Sequence, residues 1–73
     1  MPKELSVIQI NAELVARKEQ GRRDSWEILD SERMRGRVVK TAAGFQALRS
    51  RDGDYYSVGT YVTLESAGKA VGR

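Results

Sequence analysis

The sequence contains neither histidine nor cysteine among its 73 residues. With them go the usual neutral-pH general base, the thiolate nucleophile and the preferred zinc ligands. Carboxylate, lysine, tyrosine and hydroxyl groups are all that remains for catalysis, so the sequence predicts a non-enzymatic protein with no catalytic residue, no metal and no cofactor. The chemistry on offer is recognition. Arg37, Lys40, Arg49 and Arg51, with Arg35 beside them, carry fixed positive charge suited to phosphate or carboxylate. Tyrosine supplies rigid contact area with a polar tip, and in the pair Tyr55-Tyr56 one ring must face outward if the segment is a strand. Leu5, Val7, Ile8, Ile10 and Leu14 are many apolar groups to leave exposed without a use. The candidate partner-binding residues are therefore Leu5, Val7, Ile8, Ile10, Arg37, Lys40, Arg49, Arg51, Tyr55 and Tyr61. Each also has an ordinary structural use: the apolar set can pack on a sheet, the arginines can form a solvated rim, and the tyrosines can close a hairpin. Asp52 and Asp54 lie next to the basic cluster and weaken its attraction for phosphate, which favours a protein partner.

The elements that must position these groups are small. A chain of this length builds one domain, and a core of this size rarely yields more than about 3–5 kcal/mol of net stability. No apolar run approaches the length of a membrane span, and the N-terminal stretch lacks a signal-peptide pattern. The expectation is a cytoplasmic monomer. The net charge of +3 is uneven: residues 1–34 hold six Lys/Arg against seven Asp/Glu, a net −1, and residues 35–73 hold seven against three, a net +4.

Residues 1–23 read as an N-terminal arm that gains order on binding. Leu5, Ile8, Ala12 and Val15 fall at helical spacing, whereas Leu5, Val7, Ile8 and Ile10 suit a short strand, and the pattern leaves both open. The charged stretch around Gly21 then breaks the chain. Residues 24–73 read as a three- to four-stranded antiparallel sheet with a C-terminal helix packed on one face, an α+β fold. The strand units are SWEILD, RGRVVKT, GFQALRSR and DYYSVGTYV, with Asp52-Gly53 as a two-residue hairpin turn. That turn sets Arg49 opposite Tyr56, Ala47 opposite Val58 and Phe45 opposite Thr60. Together with Ala43 and Val62 these form a core face that meets Trp26, Ile28, Leu64, Ala67 and Val71. Gln46, Leu48, Ser50, Tyr55, Ser57, Gly59 and Tyr61 form the outer face, unless a bulge swaps the assignment along one strand. Thr63 is placed to cap the helix over residues 64–71.

Residues 59–71, GTYVTLESAGKAV, resemble the strand-to-helix junction of three-stranded-sheet DNA-binding modules of the AP2 type and of integrase arm-binding domains. Gly59, Thr60, Tyr61, Thr63, Glu65, Ala67 and Ala70 carry the match. The resemblance implies a sheet face that enters the major groove, with contacts drawn from Arg37, Lys40, Arg49, Arg51, Tyr55 and Tyr61. In size and composition the whole chain resembles small phage-encoded RNA polymerase-binding transcription regulators, of the Xanthomonas-phage inhibitor and antiterminator type. That resemblance implies RNA polymerase as partner, contacts near the RNA exit channel, competition with the initiation factor, and action in the bacterial host cytoplasm. It leaves room for a nucleic-acid contact, and an inhibitor of another host complex is the further alternative.

Overall fold

Turn chemistry spaces the strands in the computed structural model, which describes residues 7–19, 21, 24–31 and 33–72. The chain forms β1 (Val7–Gln9), β2 (Leu14–Lys18), β3 (Ser25–Asp30), β4 (Arg33–Thr41), β5 (Gly44–Arg51), β6 (Asp54–Tyr61) and α1 (Leu64–Gly72). Each strand pairs antiparallel with the next, so all six lie in one meander sheet in chain order. At the β5–β6 hairpin Asp52 and Gly53 both have positive φ, 52° and 87°. This is the left-handed pair that a two-residue turn requires if the flanking strands are to keep their right-handed twist.

The expectation of a three- to four-stranded α+β sheet with a flexible arm is overturned: the fold is a six-stranded antiparallel sheet with one short helix, and is mostly β. The additional strands come from the segment whose periodicity left helix and strand open. Asn11 Oδ1 accepts hydrogen bonds from the N–H groups of Glu13 and Leu14, both at 2.9 Å, and so shapes the β1–β2 turn. Strand geometry then places alternate side chains of β2, Leu14 and Ala16, in the core, where both are buried. A helix would have spread them around its axis. Leu5 lies outside the described residues.

Helix α1 covers one face of the sheet. Thr63 Oγ1 accepts the N–H of Ser66 at 3.1 Å, the bond expected of an N-cap. The buried apolar cluster is Leu14, Ala16, Ile28, Val38, Ala47, Ala67, Ala70 and Val71, with Ile10, Trp26, Phe45, Val58, Tyr61 and Leu64 packed around it. Half of that buried set is alanine, so the helix lies close on the strands. Gly36 in β4 makes the approach possible: a Cβ there would stand 2.1 Å from the Leu48 carbonyl oxygen and 2.8 Å from Val71 Cγ1.

Two bulges set which side chains face where. Between β3 and β4 the register moves from Ile28↔Gly36 to Leu29↔Met34, leaving Arg35 as the extra residue. Between β5 and β6 the expected Arg49↔Tyr56 pairing holds, but beyond Leu48↔Ser57 the partners become Ala47↔Gly59 and Phe45↔Tyr61. Val58 is the extra residue, and it packs against the core. The expected pairings of Ala47 with Val58 and Phe45 with Thr60 are corrected accordingly. Tyr61 and Gly59 move to the helix side and Thr60 to the other. Ala43 and Val62 do not extend the core: Ala43 is exposed and Val62 is 89 % exposed.

Candidate binding face

The face away from α1 carries one cross-strand row that spans all six strands: Val7, Arg17, Glu27, Arg37, Leu48 and Ser57. Charges alternate along it. Arg17 Nη2 donates to Glu27 Oε1 at 2.7 Å, an exposed pair worth little to stability. Arg37 Nε lies 3.2 Å from Glu19 Oε2, in a pair whose side chains are only 24 % and 9 % exposed. Its alignment is too poor for a hydrogen bond, so this contact is Coulombic.

Arg37 also stacks on the ring of Tyr55, with Cζ 4.7 Å from the ring centroid. Tyr55 Oη in turn lies 3.9 Å from Met34 Sδ, its weak acceptor. The β3–β4 bulge creates this neighbourhood, because it turns Met34 to the face that already holds Leu29 and Arg37. Arginine, tyrosine and methionine are the side chains enriched where proteins meet partners, and here they touch one another on an open sheet. Tyr55 is 41 % exposed and Met34 39 %.

The structure divides the residues expected from the sequence. Val7, Arg37 and Tyr55 share the open face. Ile8 pairs with Ala16 on the helix side and is 39 % exposed. Ile10 packs under α1, close to Gly68. Tyr61 is half-buried against the core, and Lys40 lies on the helix side with Nζ 5.9 Å from the Phe45 ring centroid. Arg49, opposite Gly36, also falls on the helix side, and Arg51 is exposed beside the hairpin turn. The acidic members of the open face, Glu19 and Glu27, and its Met34 were not among the expected residues. Glu27 had a signal in strand alternation, since it lies between Trp26 and Ile28, but nothing local marked Met34, which depends on the bulge.

No known protein family, curated protein or solved structure matches the chain.

Proposed function

We propose that this chain is a non-enzymatic binding protein of the phage transcription-regulator kind, which docks on host RNA polymerase to inhibit initiation and promote antitermination. The observation that supports docking on a protein is the open face with its Arg37–Tyr55–Met34 contact. The name of the partner comes from the likeness in size and composition to RNA polymerase-binding regulators. A face that docks on a protein needs rigid anchors that lose little entropy on binding, and the stacked Arg37 and Tyr55 are held in place before the partner arrives. Interspersed carboxylates favour a protein over phosphate here. Glu27 and Glu19 offset Arg17 and Arg37, so the centre of the face presents little net positive charge to a DNA backbone. Val7, 45 % exposed on the edge strand β1, supplies apolar area at the end of the same row.

The test is retention of RNA polymerase from a nuclease-treated bacterial lysate by the immobilised chain. Tyr55→Ala and Met34→Ala are the variants of choice, because both side chains are exposed, whereas Arg37→Ala breaks a poorly exposed ion pair and would mix folding with binding. Retention by the wild type with loss in Tyr55→Ala supports the reading. Retention of nucleic acid alone, abolished by nuclease, would replace it with the sheet-face DNA module.

A further inference from the structure

The sheet ends in two edges, and they are unlike. β1 forms one with only three residues, and a strand that short offers little to pair with. β6 forms the other over eight residues, and among the described residues nothing pairs with its outer side. Sheet edges are ordinarily guarded by lysine or another charge, or by proline. β6 has no such guard beyond its first residue, since residues 55–64 contain neither a charge nor a proline. Its side chains add apolar area on both faces: Tyr55 stands on the open face and Tyr56 on the helix side, each 41 % exposed. The one protective feature is the bulge at Val58, which confines the regular part of the edge to residues 54–57.

We infer that this edge pairs with β6 of a second copy of the chain, antiparallel, about a two-fold axis at Tyr56. The β5–β6 turn fixes which backbone groups are free. Asp54 N–H and the Arg51 carbonyl close the two-residue turn, and hydrogen-bonded pairs alternate along an antiparallel ladder, so Arg49↔Tyr56 is the next such pair. The N–H and C=O groups of Tyr55 and Ser57 therefore point away from β5. Both residues are satisfied at once when Tyr55 of each copy lies opposite Ser57 of the other, which sets Tyr56 opposite itself. An axis at Tyr55 would leave Ser57 facing the turn, and an axis at Ser57 would leave Tyr55 facing the far side of the bulge. At the non-hydrogen-bonded position on the axis the Cα atoms stand about 4.5 Å apart, so the two exposed Tyr56 rings cover one another. Asp54 falls opposite Val58, and no charge meets its like. An unrelated extended peptide would find the same backbone groups but no matching side chain, whereas the second copy brings its own Tyr56. The interface is small, and the monomer is its dilute form. The inference does not rest on RNA polymerase as the partner.

The experiment is sedimentation equilibrium of the full chain from about 10 µM to 1 mM, the affinity range of a small interface. Wild type is compared with Tyr56→Glu, which sets two carboxylates together on the axis while each faces Arg49 of its own sheet, so the monomer keeps its fold. Circular dichroism checks that fold. A second measurement uses the absence of native cysteine: Tyr56→Cys and, as control, Ala43→Cys at an exposed turn are incubated with oxidised glutathione and run on a non-reducing gel. A Cα separation of about 4.5 Å lies within disulfide reach. The expected results are a monomer–dimer equilibrium in wild type, association weakened about tenfold or more in Tyr56→Glu, and a covalent dimer that forms much faster from Tyr56→Cys than from Ala43→Cys. Four results would overturn the inference: a wild type that stays monomeric at the highest concentration, species larger than a dimer, which would mean β6 pairing head to tail with β1, association unchanged in Tyr56→Glu, or equal cross-linking of the two cysteine variants.

Discussion

Gly36 offers a test in which sequence logic and packing logic predict opposite signs. Its φ is not in the left-handed region, so by backbone preference alone Gly36→Ala should stabilise the strand by about 0.5–1 kcal/mol. Packing dictates the reverse. The new Cβ would lie 2.1 Å from the Leu48 carbonyl oxygen, and reaching ordinary contact near 3.4 Å would require β5 and β4 to part by more than 1 Å. That oxygen belongs to the sheet backbone and cannot rotate away. Overpacking costs about 1–3 kcal/mol, and disturbing a neighbouring ladder hydrogen bond adds about 0.5–1.5. After the backbone gain is subtracted, about 2–3 kcal/mol of net destabilisation remains, more than half of what a core of this size supplies. Gly68→Ala is the internal comparison. Its Cβ would meet Ile10 Cδ1 at 2.2 Å, but that atom is the tip of a side chain that can swing aside. Alanine also gains about 1 kcal/mol of helix propensity there, so this variant should stay within about 1 kcal/mol of wild type. Urea unfolding followed by fluorescence of Trp26, the single tryptophan, reads both. With a slope of about 1 kcal/mol per molar, Gly36→Ala should lower the midpoint by roughly 2–3 M. An unchanged or raised midpoint at unchanged slope would refute the close packing of β4 at Gly36 against the Leu48 carbonyl of β5.

Other substitutions probe separate links. Ile28 is fully buried beneath α1, and Ile28→Ala should cost about 2–5 kcal/mol, read as a urea midpoint lowered by roughly 2 M or more, or as loss of the folded circular-dichroism signal at the upper end. Thr63→Ala removes the acceptor for the Ser66 N–H and should lower stability by about 1 kcal/mol, read as a lower urea midpoint. Ser25 is 3 % exposed and its Oγ has no hydrogen-bond partner among the described residues, so Ser25→Ala should leave stability unchanged or raise it by up to about 1 kcal/mol; a clear loss would mean that the hydroxyl is satisfied. Glu27→Gln breaks only an exposed ion pair and should shift the unfolding free energy by less than about 0.5 kcal/mol.

The sequence by itself determined the local pieces of this protein. Asp52-Gly53 specified its hairpin, Thr63 its helix cap, and the units SWEILD and GFQALRSR the bounds of β3 and β5, because each depends on a few adjacent residues and on backbone preferences that act at short range, whereas β4 begins two residues before the expected RGRVVKT unit and β6 ends one residue before Val62. Trp26, Ile28, Ala67 and Val71 were legible as core for the same reason, through periodicity. Only the tertiary structure decided the fate of the N-terminal segment: Leu14 and Ala16 favour a strand because the helix that buries them arrives at the other end of the chain. The facing of Tyr61 was likewise out of reach, since the bulge that turns it inward leaves Val58 as the extra residue packed on the core, and a one-residue slip reverses every side chain beyond it. Arg37 and Met34 come from either side of the bulge in β4, and Tyr55 from β6. Register brings them together, and register is fixed by long-range packing that no local pattern of residues records.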